Sequence, residues 1–261
     1  MGDFMKVYDE AAQWVVNLPM FPVFDVAHYI LMTLALRQDS GIEFSRRNPL
    51  ACWLCSMLSC FAGGVLANFL LGLPILASFE NPVTLASASV IWYLVFYSPY
   101  DIFYKLTTFM PIMILVVALK EVSRPGKILS GIAQTAKLYP KAYHLMVLIG
   151  IVKASGSNWM KLFERMLRGV WIPTQNELLR PSFYTRECFI VLQKQGSLAM
   201  AQHHLVFAYT LFLVFWKVAM VATGAPDPFV QLEGLVCFIV FGAEEDKQVV
   251  KESLNSKKKK E

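Results

Sequence analysis

From Pro49 to Leu71 the chain runs 23 residues without one charged side chain. An α-helix advances about 1.5 Å per residue, so about 20 apolar residues cover the ~30 Å hydrocarbon core of a bilayer. The run therefore suits a membrane-spanning helix, and it is not alone. Further apolar spans are read at about Leu18–Leu36, Val83–Ser98, Phe103–Leu119, Tyr143–Lys161, Phe183–Leu192 and His204–Val221. The 261-residue chain is 56% hydrophobic and 16% charged, against about 25% charged in a soluble domain. The expected fold class is an all-α polytopic membrane protein with seven transmembrane helices.

The two ends read differently from the middle. MGDFMKVYDEAAQWVVN carries acidic residues and no apolar core long enough for a cleaved signal, so the first span is expected to direct insertion itself. Residues 243–261 form a polar tail that ends in KKKKE and reads as solvated and disordered. Its lysines three and four from the end resemble a dilysine retrieval signal for the endoplasmic reticulum, which implies a cytosolic C-terminus. An odd number of spans then places the N-terminus in the lumen. Basic residues support this orientation at Arg37, Arg46 and Arg47 in the first cytosolic turn, Lys105 in the third, and Arg165, Arg168, Arg180 and Arg186 around the fifth. The exception is the fourth turn, KEVSRPGK. Five cysteines cannot all pair, and Cys52 and Cys55 lie in an apolar helix without a nearby His, so packing thiols are expected rather than a metal site.

Prolines reveal a repeat. Pro22, Pro49, Pro74 and Pro82 are spaced 27, 25 and 8 apart, while Pro111, Pro140, Pro173 and Pro181 are spaced 29, 33 and 8 apart. Three spans per copy make the second copy enter from the opposite face. The expected organisation is a single transmembrane domain over 1–242, with inverted three-helix repeats at about 18–104 (helices 1–3) and 105–200 (helices 4–6) and a seventh helix at about 203–222. Inverted repeats that meet at mid-membrane commonly build a permeation path from broken helices. Gly63 and Gly64 in the second span, and Ser155 and Gly156 in the fifth, are the matched positions where kinks are expected to open a pore.

Charges set the chemistry. Lys120, Arg124 and Lys127 share a face if the helix continues past Leu119, and Lys153 sits near the middle of the fifth span. A central cation costs about 2.5–3.5 kcal/mol on insertion scales, so these groups require water or counter-charge. A polar cavity with a basic wall is expected between the second, fourth and fifth spans. Asp25, His28, Asp101 and Glu121 are the candidate counter-charges.

SRRNPLACWLCSML, WYLVFYSPYDIFYK, the KEV triplet at Lys120–Val122, KASGSNWMKLFERMLRGVW and LEGLVCFIVFG resemble the trimeric intracellular cation (TRIC) channels of animals. The resemblance runs from about Phe21 to Gly242. It implies a homotrimer with one hourglass pore per protomer, carrying monovalent cations, chiefly K+, across the sarcoplasmic or endoplasmic reticulum membrane. That current would balance the charge moved by calcium release and uptake, a functional coupling to intracellular calcium release channels. The resemblance further implies that Lys120 and Arg124 bind the phosphates of phosphatidylinositol 4,5-bisphosphate among the membrane lipids, and that Lys127 takes part in voltage gating. Lys153 is the second voltage-sensing or pore candidate.

No HExxH, G-x-S-x-G, P-loop or paired intramembrane aspartates occur, so an enzyme is not expected. No resident metal or nucleic-acid partner enters this reading. The alternative is a secondary transporter with an inverted-repeat fold, since alternating access uses the same architecture.

Overall fold

The computed structural model describes residues 2–167 and 202–223, and every element within them is helical. In chain order these are α1 (Gly2–Asn17), α2 (Val23–Arg47), α3 (Pro49–Leu70), a 3-10 turn (Ile75–Phe79) and α4 (Pro82–Tyr97). A second 3-10 turn (Pro99–Asp101) leads to α5 (Ile102–Thr108), followed by α6 (Met110–Leu138), α7 (Tyr143–Leu167) and α8 (Gln202–Thr223). The expected sixth span, Pro173, Pro181 and the polar tail lie outside the described residues.

Prolines do open helices. Pro22 caps α2, and Pro49, Pro82 and Pro111 stand in the first turns of α3, α4 and α6, where a missing N–H removes no helical bond. Asn81 adds a side-chain cap to α4, accepting from the Val83 N–H at 3.0 Å. Among the described residues, α3 and Val206–Thr223 of α8 are single helices long and apolar enough to cross a bilayer, and α4 with α5 qualifies as a pair bent by 91°.

Four sequence expectations need correction. The first span does not stop near Leu36: α2 continues to Arg47 and bends at Gly41, whose φ of 74° only glycine adopts without strain. The expected Phe103–Leu119 helix is instead two pieces, α5 and α6, separated at Phe109. Nor is KEVSRPGK a turn, because α6 runs through Pro125 to Leu138. At 29 residues α6 is roughly 43 Å long. Pro125 cannot donate a hydrogen bond to the Glu121 carbonyl, but it is fully buried among neighbouring helices, which supply the packing that holds the helix together.

Arg37 is likewise not in a turn. It is buried on α2, pairs with Asp101 at 2.9 Å, donates to the Val95 carbonyl and lies 4.1 Å from the centre of the Tyr104 ring. Tyr100 and Asp101 both have left-handed backbone angles (φ 55° and 56°), a conformation that costs of order 1–3 kcal/mol per residue. The Arg37 clasp holds this corner between α4 and α5 in place.

The main apolar core joins α2, α3, α4 and α6 through buried residues such as Leu34, Met57, Val95 and Val116. Cys52 and Cys60 are buried thiols outside any disulfide, and Trp92 donates to the Cys52 sulfur at 3.4 Å. α3 crosses α7, α6 packs on α2, α7 and α8, and α1 lies along α8.

Candidate functional site

α6 carries a stripe of Lys120, Arg124, Lys127, Gly131 and Gln134, spaced alternately four and three residues apart. That spacing keeps them on one helical face. The face borders a cavity of about 600 Å³ bounded by α2, α3, the first 3-10 turn, α6 and α7. Lys120, Arg124 and Lys127 line it from α6, and Lys153 from α7. The four basic residues read from the sequence are thus brought around one space.

Their counter-charges are unequal. Asp25 lines the cavity from the first turn of α2, together with His28, whose Nε2 lies 3.0 Å from the Cys60 carbonyl. Glu121 sits one turn behind the stripe, 3% exposed, and takes Arg124 Nη2 at 2.9 Å on Oε1. Its Oε2 has no hydrogen-bond partner among the described residues. Arg124 is therefore compensated within its own helix. Asp101, expected to face the pore, does not: the Arg37 pair holds it at the α4–α5 corner.

Lys153 is fixed by a chain of hydrogen bonds that the sequence reading missed. Its Nζ donates to Gln134 Oε1 at 2.9 Å, and Gln134 Nε2 donates to Asn68 Oδ1 at 2.9 Å. Asn68 Nδ2 then donates to the Pro74 carbonyl at 3.3 Å and to Ser78 Oγ at 3.2 Å. One polar line thereby ties α7 to α6, α3 and the 3-10 turn. A signal for it exists, since Asn68 is the only amide in the apolar run Pro49–Leu71 and a buried amide must find partners.

The matched small residues do something other than expected. α3 and α7 each run as one continuous helix through Gly63, Gly64, Ser155 and Gly156. A methyl group built on Gly156 would stand 2.5 Å from the Gly63 Cα, and one on Gly63 would collide with the Lys153 carbonyl. These glycines let two backbones touch, the usual service of small residues between membrane helices. Gly63 and Gly64 still line the cavity, whereas on α7 the lining residues are Lys153, Ala154 and Ser157 rather than Ser155 and Gly156. Ser155 donates to the Ile151 carbonyl at 2.6 Å within its own helix.

The result is a chamber inside a helical bundle whose charged lining, among the described residues, is four basic side chains and Asp25. The model of the family described as TRIC channel matches residues 38–224. The chain belongs to the TRIC channel family. It is 45% identical over 235 residues to trimeric intracellular cation channel type 1B.1 of Caenorhabditis elegans, spanning 87% of this chain and 80% of that one. Against the human type A channel it is 42% identical over 234 residues, 87% of this chain and 78% of the relative. A solved C. elegans trimeric intracellular cation channel without Ca2+ superposes with a TM-score of 0.78 at 37% identity, covering 85% of this chain and 99% of that one. The C. elegans channel with bound Ca2+ gives 0.78 at 40% identity, covering 84% and 98%. A further structure, from work on TRIC counter-ion channels in calcium release, gives 0.78 at 37%, covering 83% and 99%. These relatives are channels and not enzymes, and this family member is a membrane cation channel.

Proposed function

We propose that this chain conducts monovalent cations, K+ in preference, across the endoplasmic or sarcoplasmic reticulum membrane, as counter-ion current for calcium release and uptake. The observation that carries the proposal is the convergence of Lys120, Arg124, Lys127 and Lys153 on one cavity inside the helical bundle. A basic wall by itself opposes cations, because unit charges 4 Å apart interact by about 4 kcal/mol at an effective dielectric of 20. A polyanionic lipid head group removes the conflict. Its phosphates pair with Lys120 and Arg124 through charge-assisted hydrogen bonds and leave excess negative charge for the permeant ion. In this reading phosphatidylinositol 4,5-bisphosphate is part of the conducting structure, and Lys127 and Lys153 respond to the membrane field.

Seven spans in inverted repeats fit the same reading. Pro49 opens α3 and Pro140 stands just before α7, and these second helices of the two copies cross at Gly63 and Gly156. The assembly is a homotrimer, as the relatives' names say of them, with the transmembrane domain at 1–242, a luminal N-terminus and a cytosolic tail. The test is reconstitution in a planar bilayer with and without the phosphoinositide. Unitary K+ current that rises with the lipid and falls in Lys120→Ala/Arg124→Ala is expected. Lipid-independent current, unchanged in the double variant, would refute the lipid's role; saturable coupled flux without unitary events would indicate a transporter instead.

A further inference from the structure

Away from the cavity, α1 meets the start of α8 through a cluster that conduction does not use. Asp9 Oδ1 lies 2.9 Å from His203 Nε2 and 3.0 Å from His204 Nε2. Neighbouring residues on a helix point about 100° apart. Here two consecutive histidines nevertheless turn their Nε2 atoms onto a single carboxylate oxygen, with ring centres 4.2 Å apart. The Tyr8 ring stacks on His204 at 5.1 Å, with planes 16° apart, and meets Phe207 edge-on at 5.3 Å. That stack fixes the imidazole, a task a hydrogen bond to the second ring nitrogen usually performs; His204 Nδ1 is buried and has no such partner among the described residues.

We propose that Asp9, His203 and His204 form a binding site for a divalent transition metal of the zinc type, one ion per chain. Two imidazole nitrogens and one carboxylate oxygen are a borderline donor set that suits Zn2+ far better than Ca2+ or Mg2+, which require mostly oxygen ligands. All three donor atoms lie within 4.8 Å of one another. Bonds of about 2.0–2.1 Å at the tetrahedral angle place ligand atoms about 3.3 Å apart, so a spread of a few tenths of an ångström from the observed 2.9 and 3.0 Å admits the ion. Three protein ligands leave a fourth position for water. Asp9 is 48% exposed, and the histidines precede the apolar segment Val206–Thr223, so the site opens at an aqueous boundary rather than within the bilayer. The bound ion would clamp α1 onto α8, the helix on which α6 packs.

Calorimetric titration of Zn2+ into the untagged full-length chain in detergent micelles tests this. One saturable site per chain is expected, weakened by roughly tenfold or more in Asp9→Ala and in His203→Ala/His204→Ala, and unaltered in His144→Ala, whose ring is at an exposed position elsewhere. Co2+ titrated into the unaltered chain should give the intense visible bands of a four- or five-coordinate site, without a sulfur charge-transfer band; this reading needs no variant to fold. Absent saturation, affinity indifferent to these substitutions, a six-coordinate spectrum or a thiolate band would each overturn the site. Because the measurement is metal binding and not current, its failure leaves the conduction proposal standing.

Discussion

Asn68 shows how much one amide can organise. It accepts from Gln134 and donates to Ser78 and the Pro74 carbonyl, so three segments meet on a single side chain. Asn68→Leu keeps the volume but removes every bond, and leaves the Gln134 amide unpaired in a half-buried place. The expected loss is about 1–3 kcal/mol, read as a lower midpoint in detergent thermal unfolding. Gln134, the partner of Lys153, would lose the bond that orients it at the same time, so open-channel noise in single-channel records should rise. A variant with unchanged melting and unchanged noise would show that Lys153 is held by something other than this line.

At the scale of the helix, α3 and α7 are locked by contact between backbones. Gly156→Ala puts a methyl group against the Gly63 Cα, and overpacking of this kind costs about 1–3 kcal/mol; thermal unfolding of the variant should show it, whereas a neutral result would mean the helices separate easily. α6 makes a second helical prediction. A charge that crosses the full membrane field changes energy by about 2.3 kcal/mol per 100 mV. Lys127→Gln should therefore flatten the dependence of open probability on voltage, and an unaltered slope would remove Lys127 from the sensor. Helix α6 also shows where sequence reading stops. Pro49–Leu71 and Val83–Ser98 were legible because apolar runs were bounded by prolines, and α3 and α4 match them within a residue or so. The end of α6 was not legible, since hydropathy falls equally when a helix leaves the lipid and when one of its faces turns to an internal cavity. Spacing carried the missing information, for Lys120, Arg124, Lys127 and Gln134 fall on one face whichever solvent surrounds them. The partner of Asp101 was out of reach for a different reason: Arg37 stands on another helix, and nothing local links the two. The helix α1 was also missed, as its polar composition gives no membrane signal.

For the whole molecule, described residues of a single chain, from α2, α3, α6 and α7, already surround the cavity. If three such chains assemble, each brings a complete chamber. Trimers mixed from unaltered and Lys120→Ala/Arg124→Ala chains should then show current that falls in proportion to the number of altered chains. A steep loss after the first altered chain would point to one shared path on the threefold axis. The measurement is the distribution of unitary current levels from co-expressed, differently tagged chains.

The line from Lys153 to Ser78 has a polarity. An ammonium can only give hydrogen bonds, so Gln134 must offer it oxygen and has only its NH2 left for Asn68, which must in turn do the same toward Ser78. A single charge thereby dictates which way two distant amides face. Replacing it with a carboxylate, as in Lys153→Glu, would require both amides to flip, and would carry the reversal through α6 and α3 as far as the 3-10 turn.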